Sequence, residues 1–247
     1  MFKYCLILLW IIFSQHVYAI DKLPSRFSIA APEIPPLVYY NEDHQLVGSL
    51  VEKLNLFSRE TGIDVSIDIM TWPRALAQVK NHRYDALMPA LKTKEREAFL
   101  VYPNSALIHF RNSVLIEKKN QSSLDVSFKP IFKNKIVAKG RSMKNGKRFD
   151  DFLIDEEMNI IEVNSVEVAL KMLDMGRVDF VAIDKDIATS VLKRLSMIDN
   201  VNFITIVEDT SMSYLAFSSA FSKKYDVNVL MEAILSINDG KLFNPHP

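Results

Sequence analysis

The chain has little cysteine, no long apolar run and no excess of charge of either sign. Its single cysteine, Cys5, lies close to the amino terminus, so no disulfide can form within the chain. The fold must therefore depend on its apolar core alone. With 247 residues, 49% of them hydrophobic, the chain is long enough to bury a large core in one or two domains.

The charge balance argues against two classes of partner. Acidic and basic residues number 30 each, and no run of lysine and arginine exceeds a few residues. Nucleic acid and anionic membrane surfaces normally require a net basic face, so neither is expected as a partner. The most basic stretch, residues 133–147, is predicted to be a solvated loop.

Motifs for catalysis and for metal binding are also missing. The sequence has no glycine-flanked nucleophilic serine, and the histidines beyond the first twenty residues are scattered, at His44, His82, His109 and His246. No two of them have metal-ligand spacing on a helix. We therefore predict no metal, no cofactor and no acyl-transfer site.

The amino terminus has the pattern of a secretory signal peptide. Met1-Phe2-Lys3 precedes an apolar run over residues 4–13, and Val17-Tyr18-Ala19 supplies the small-residue cleavage pattern. Residues 1–19 are predicted to be removed after Ala19. The alternative, an uncleaved membrane anchor, is disfavoured because a run of about ten residues is well short of the roughly 20 needed to span a bilayer.

Two stretches of the remaining chain resemble one another. Residues 75–87 and residues 169–181 share four identities and a similar apolar spacing. Each reads as the end of an amphipathic helix, a tight break, an aspartate and a short apolar strand. Two similar α/β lobes are implied. Ligands bind outside the carboxyl ends of strands in open α/β sheets, so the residues after Met88 and after Ile183 should face one shared cleft.

Strands and helices alternate through both halves of the sequence, which predicts parallel sheets covered by helices. Gly62 is predicted to end one helix, and Pro73 is predicted to begin the next. Asn164 and Glu167 are predicted to form a capping box at the start of a helix that ends at Gly176. The predicted strands cover residues 27–31, 63–69, 135–138, 159–163 and 178–183, and the predicted helices are around residues 50–57, 149–154 and 187–195.

Two apolar runs, residues 113–116 and 214–217, fit neither lobe and are predicted to pair as crossing strands. A final helix around residues 227–237, ending at Gly240, should pack on the first lobe. The predicted fold is a two-lobed α/β architecture. Its first lobe comprises residues 20–115 and 215–247, its second lobe residues 116–214, and the two connections form a hinge about which the lobes can close on a ligand.

Several short elements have an informative order and spacing between Phe27 and Gly240. These are Leu46-Val47-Gly48, Trp72, Asp85, Thr93-Lys94-Glu95-Arg96, the strand from Asp179 to Asp184, and Tyr214-Leu215-Ala216-Phe217. In the order and spacing of these elements the sequence resembles the polar-amino-acid class of periplasmic solute-binding proteins of ABC importers, of type II fold.

Arg96 matches the arginine that binds the ligand α-carboxylate in that family. A planar guanidinium offers two parallel N–H donors to a carboxylate, a geometry that lysine cannot match. The alternative is a surface arginine in the first turn of a helix, paired with Glu95 or Glu97.

Asp184 matches the family's ammonium-binding acid, and a carboxylate there would favour a charged amine. The alternative is a helix N-cap for the segment that starts at Lys185, a role that Asp186 could also fill. The two roles of Asp184 are compatible.

Aromatic and further charged residues complete the predicted site. Trp72 corresponds to an aromatic wall of the family's cleft, or else to a core side chain beneath the following turn. Arg74 lies either in the cleft or on the helix surface. Glu33 follows the carboxyl end of the first strand, and one of Tyr39 and Tyr40 is expected to line the cleft because adjacent strand residues point oppositely.

The loop after the first strand of the second lobe holds the last candidates. Ser142 matches a small residue that contacts the carboxylate, and a plain loop serine is the alternative. Arg141 and Met143 replace small residues of the family, and Leu91 replaces a hydroxyl that helps to hold the ligand head group. These departures place a standard α-amino acid in doubt and would suit a dicarboxylate or another anion.

The resemblance implies a monomeric periplasmic protein that captures a small amino-acid-like or carboxylate ligand for an ABC permease, without enzymatic activity. Two other functions remain open. Enzymes that dehydrate small cyclic acids share this architecture, and Glu33 or Asp184 would then serve as the general acid. A sensor that reports ligand binding to a membrane receptor would have the same sequence features.

Overall fold

The computed structural model describes residues 23–111, 113–119, 132–206 and 210–237. The strands in these ranges are β1 Arg26–Ala31, β2 Tyr39–Tyr40, β3 Leu46–Val47, β4 Asp64–Ile69, β5 Ala86–Leu91, β6 Leu100–Val101, β7 Ile108–Arg111, β8 Ser113–Lys118, β9 Ile136–Gly140, β10 Asn159–Val163, β11 Phe180–Asp184, β12 Val201–Thr205 and β13 Thr210–Ser218. The helices are α1 Ser49–Thr61, α2 Trp72–Lys80, α3 Lys94–Glu97, α4 Lys147–Asp155, α5 Val166–Asp174, α6 Lys185–Arg194, α7 Ser219–Ser222 and α8 Val227–Ser236, with a 3-10 turn at Ile198–Asn200.

Two sheets, each flanked by helices, form the two predicted lobes. The first sheet has the order β4-β1-β5-β13-β6, with β7 also paired to β13. The second sheet has the order β10-β9-β11-β8-β12. In each sheet three strands joined by helices run parallel, and each added strand pairs antiparallel with its neighbours. The two-lobed α/β fold predicted from the alternation of strands and helices is confirmed.

The internal repeat has a structural explanation. In both copies the helix ends at a left-handed residue, His82 with φ 57° and Gly176 with φ 68°. The aspartate that follows joins its strand to the neighbouring one. Asp85 accepts hydrogen bonds from the backbone N–H and the hydroxyl of Ser28, each 2.9 Å long, and Asp179 accepts from the backbone N–H of Ile136 at 2.8 Å. The two copies of the repeat therefore have the same structure at the start of a central strand, β5 in the first sheet and β11 in the second.

The predicted pairing of residues 113–116 with residues 214–217 is wrong. β8 lies between β11 and β12 in the second sheet, and β13 lies between β5 and β6 in the first. The strand that pairs with the start of β13 is β7, which immediately precedes β8 in the chain. In this pairing Arg111 lies opposite Thr210 and Ile108 lies opposite Ser213. A continuous apolar run is typical of a strand buried inside a sheet, and both runs occupy such positions.

The helix start predicted at Asn164 is also displaced. The N-cap of α5 is Ser165, whose hydroxyl accepts from the N–H of Val168 at 3.3 Å. Glu167 forms an ion pair with Arg194 instead of completing a capping box. The sequence could not distinguish the two positions because asparagine and serine are both favoured N-cap residues.

The last helix, α8, buries Val227, Leu230, Met231 and Ile234, and it packs against α1. Its predicted end at Gly240 lies outside the described residues, as do the signal peptide and Cys5. The lobe boundaries near residues 115 and 214 remain a prediction. Among the described residues, no helix combines the length and the apolar character needed to cross a bilayer.

Gly48 is required where β3 turns into α1. Its φ is 126° and its ψ 163°, a conformation that side chains with a Cβ rarely adopt. A Cβ atom at this position would lie 2.4 Å from the carbonyl oxygen of Leu37. Backbone strain and overlap with Leu37 therefore both disfavour a side chain at position 48. Gly62, which ends α1 with φ 74°, has open space around its missing Cβ.

We predict that Gly48→Ala lowers the free energy of unfolding by roughly 3 kcal/mol or more, because overpacking adds to backbone strain. The matched control, Gly62→Ala, should cost only about 1–2 kcal/mol, the usual penalty for a left-handed alanine. Urea denaturation followed by circular dichroism measures both. Equal losses for the two variants would contradict the close approach inferred at Gly48.

Candidate functional site

A cavity of about 290 Å³ lies between the two sheets. Its walls include the carboxyl ends of the parallel strands, where open α/β sheets place their ligand sites. Three lining residues come from strand ends of the first sheet and three from those of the second: Pro32, Ile69, Leu91, Gly140, Val163 and Asp184. The short connections that follow these strands bring most of the remaining lining residues to the same place.

Arg96 is the buried cation of this cavity. It lies in α3, whose N-cap Thr93 accepts from the backbone N–H of Arg96, and only 5% of the residue is exposed. Its guanidinium donates to the carbonyl oxygen of Leu91 at 2.9 Å and to that of Ser142 at 3.2 Å. Burial lowers the pKa of Arg96 below its ordinary value.

No carboxylate of the described residues forms an ion pair with Arg96. Glu97, a partner considered from the sequence, pairs with Lys92 at 3.1 Å instead. The hydrogen bond to Ser142 joins the first lobe to the second across the cavity. Arg96 is therefore a buried cation that faces a cavity and still has N–H groups free of protein carboxylates, not a surface side chain.

Trp72 lines the cavity and is also a core side chain. It is 5% exposed, and it packs against Ala75, Val79 and Leu87 in an apolar cluster while it lines the cavity. Its ring lies 4.7 Å from the guanidinium carbon of Arg96, so the indole face helps to stabilise the buried charge. Its buried N–H has no acceptor among the described residues.

Asp184 ends β11 and caps α6. One carboxyl oxygen, Oδ1, accepts from the backbone N–H groups of Asp186 at 2.9 Å and Ile187 at 3.3 Å. The other, Oδ2, is buried without a hydrogen-bond partner among the described residues. Burial raises the pKa of the Asp184 carboxyl to about 7. The helix-capping role is therefore present, and it uses only one of the two carboxyl oxygens.

Two further predicted residues line the cavity near its opening. Glu33, just after β1, and Arg141, just after β9, are both exposed lining residues. Ser142 contributes through its backbone: its carbonyl accepts from Arg96, and its N–H donates to Glu162 at 3.1 Å. The residue has a φ of 55°, and its side chain is not among those that line the cavity.

The other three predicted residues lie outside the lining. Tyr39 and Tyr40 belong to the short β2–β3 hairpin, where they pair with Val47 and Leu46, and Tyr40 is 44% exposed. Arg74 lies on the exposed face of α2. Side-chain alternation and helix position could not predict which face was presented to the cavity, because that depends on how the hairpin and the helix pack.

Several lining residues were not predicted. Lys139 is buried, and its ammonium pairs with Asp150 at 2.9 Å. Phe110, Ser113 and Asn145 also line the cavity. The position of Lys139 at the end of a predicted strand was an available signal. Phe110 and Ser113 could not be found in this way, because they come from the connection between the sheets. Among the described residues, no group of three or more metal-ligating side chains could hold a metal ion.

The Asp184 carboxyl should make the protein less stable as pH rises. Its pKa in the folded protein is raised, so the acid contributes stability that is complete below the unfolded pKa of 3.8 and is lost as pH rises through about 7. We predict that Asp184→Asn, which keeps a capping oxygen, gains on the order of 3 kcal/mol relative to wild type between about pH 4 and pH 8.

Urea denaturation at several pH values measures this difference. The matched control is Asp226→Asn at the N-cap of α8, where the carboxylate is half-buried and also accepts from two backbone N–H groups. Its difference from wild type measures the cost of replacing a capping carboxylate with an amide at a less buried site. A difference between Asp184→Asn and wild type that is independent of pH would contradict the effect of burial on this carboxyl.

Solved structures resemble this fold closely. The substrate-binding protein of an amino acid ABC transporter superposes with a TM-score of 0.70 at 16% identity, covering 85% of this chain and 92% of that one. A Streptococcus pneumoniae ABC uptake transporter substrate-binding protein with bound histidine gives 0.69 at 17% identity, covering 85% and 84%. The ancestral amino-acid-binding protein AncCDT-1, a precursor of cyclohexadienyl dehydratase, gives 0.70 at 15% identity, covering 85% and 88%.

Comparison with curated protein sequences finds no match. The solved structures are too distant in sequence to show more than the fold. The family profile of bacterial extracellular solute-binding proteins, family 3, matches residues 28–226, which is well over half of the chain. The match includes both sheets and every lining residue of the cavity. This chain belongs to the family 3 bacterial extracellular solute-binding proteins.

Proposed function

We propose that the protein captures a small amino-acid-like or carboxylate ligand in the cavity between its sheets and delivers it to an ABC permease. The observation that carries the proposal is the burial of Arg96 beside a cavity without a carboxylate partner among the described residues. A buried charge is costly unless it is paired, so a ligand carboxylate would supply the missing partner. The names of the similar structures, an amino acid ABC transporter component and a protein with bound histidine, support this class of ligand.

The ligand would be held from both sides. Arg96 and Trp72 come from the first lobe, and Asp184 comes from the second. A carboxylate on the guanidinium would form charge-assisted hydrogen bonds, and Asp184 Oδ2 would bond to a second polar group of the ligand. Closure about the two connections would then be favoured by contacts that exist only when the lobes are together.

The protein would act outside the inner membrane. The family is one of extracellular proteins, which supports export and a location in the periplasm. The leader at residues 1–19 would direct export and be removed after Ala19, and the protein would act as a monomer. Intact-mass measurement of the secreted protein tests the cleavage site.

A second function is favoured by one observation. Asp184 lines the cavity, has a pKa of about 7 and has one buried oxygen without a hydrogen-bond partner among the described residues, so the carboxyl could donate a proton near neutral pH. One similar structure is a precursor of cyclohexadienyl dehydratase. In an enzyme of this kind Asp184 would be the general acid. Turnover of a bound cyclic acid, lost in Asp184→Asn, would favour this function over simple binding.

We predict that Arg96→Lys weakens the binding of carboxylate ligands about tenfold or more, because lysine keeps the charge but loses the paired N–H groups. Ligands are first found by a thermal-shift screen of amino acids, dicarboxylates and small cyclic acids. Binding is then measured by the fluorescence of Trp72, the single tryptophan of residues 20–247. Arg74→Lys, on the exposed face of α2, is the matched control and should bind like wild type.

The ligand-induced shift of each variant is compared with its own midpoint without ligand. This comparison is needed because Arg96 also bonds two carbonyl groups, so its replacement affects stability as well as binding. Undiminished affinity in Arg96→Lys and in Arg96→Ala would remove Arg96 from the binding site.

A further inference from the structure

The walls of the cavity are mainly apolar. Apolar lining residues come from four strands, from the loop after β9 and from α6: Ile69, Leu91, Phe110, Met143, Ile183 and Ile187. They surround the space between Arg96 and Asp184. A ligand that placed a polar side chain against these residues would lose hydrogen bonds to water without gaining others.

Met143 shapes this apolar wall from the second lobe. Its side chain lies over Gly140, so closely that a Cβ on Gly140 would be 2.4 Å from the Met143 sulfur. Met143 also packs against the Trp72 cluster of the first lobe. Leu91 faces the cavity from the end of β5, and its carbonyl is already bonded to Arg96 and to the hydroxyl of Tyr102. Neither side chain can bond a ligand ammonium.

The charges of the lining favour an anion. Lys139 is neutralised by its pairing with Asp150, which leaves the cations Arg96, Arg141 and Lys144 facing the acids Glu33 and Asp184. Only one of these acids, Asp184, is buried, and one of its oxygens is committed to the start of α6. A zwitterion would bring a positive group into a lining that already has an excess of cations.

We infer that the ligand is an apolar carboxylate anion, an aromatic or branched-chain 2-oxo or 2-hydroxy acid, and not a polar or cationic amino acid. This inference rests on the proposed function, because it concerns the same cavity. The carboxylate binds Arg96, and the apolar body lies among Leu91, Met143 and Trp72. A 2-hydroxyl donates a hydrogen bond to the Asp184 carboxyl, whereas a 2-oxo oxygen accepts one from that carboxyl in its protonated form. A cavity of about 290 Å³ suits a compact ligand with one ring or one branched chain.

The test uses matched probes that differ only in the head group. Phenylpyruvate, phenyllactate and phenylalanine share one side chain, and 4-methyl-2-oxopentanoate and leucine share another. Calorimetry on the purified protein should show that each oxo or hydroxy acid binds about tenfold more tightly than its amino acid, or better. Arginine and glutamate should bind more weakly than the apolar acids.

Two variants then test the wall. Met143→Gln, which keeps the length of the side chain and adds a polar end, should weaken binding of the apolar acids about tenfold, because the amide loses its water without finding a partner. Met175→Gln, the same change at a position that is 64% exposed and outside the lining, is the control and should leave the affinity close to that of wild type.

The outcomes separate this inference from the proposed function. Tighter Arg96-dependent binding of phenylalanine, leucine, arginine or glutamate than of the apolar acids would overturn the inference and leave the proposed function standing. Unchanged affinity of the apolar acids in Met143→Gln would also overturn it. If no carboxylate of any class binds, the proposed function fails and the inference fails with it.

Discussion

The burial of the Arg96 charge is the constraint on which the site depends. A guanidinium taken out of water must recover its hydrogen bonds from the protein, and here two carbonyl groups and the face of Trp72 provide part of that compensation. One carbonyl belongs to the first lobe and the other to the second, so a single side chain stabilises the charge and joins the lobes. The position of the Ser142 loop relative to α3 therefore determines how well Arg96 is compensated.

The internal repeat explains why the two lobes converge on the cavity, although the repeated residues do not line it as a pair. Asp85 and Asp179 each join the start of a parallel strand to its neighbour, far along the strand from the ligand side. Each strand then runs about the same distance to its carboxyl end, where the two lobes differ: β5 leads to Arg96 and β11 ends at Asp184. The two lobes thus share one strand arrangement, which places Arg96 of the first lobe and Asp184 of the second at the same cavity.

The sequence predicted most of the fold because periodic apolar spacing and strand–helix alternation are local signals. It also predicted that Arg96 and Asp184 would face a cleft, since the end of a strand can be read from the same pattern, and the family resemblance implied the same for Trp72. It could not predict the partner of β8, the cap at Ser165 or the surface positions of Tyr39, Tyr40 and Arg74. Each of these depends on contacts between residues far apart in the chain, for which neighbouring residues carry no signal.

The shared role of Arg96 has a consequence for closure. A guanidinium has five N–H donors, and the two carbonyls leave others available for a ligand carboxylate. The hydrogen bond from Arg96 to Ser142 joins the lobes without a ligand, so in the proposed closure a ligand would shift the equilibrium only by the contacts that it adds. Among the described residues that line the cavity, Asp184 Oδ2 and the indole N–H of Trp72 are buried without a hydrogen-bond partner, and they are the groups that we propose for those contacts. Because they lie on opposite lobes, a ligand that bonds both gains most when the lobes are together.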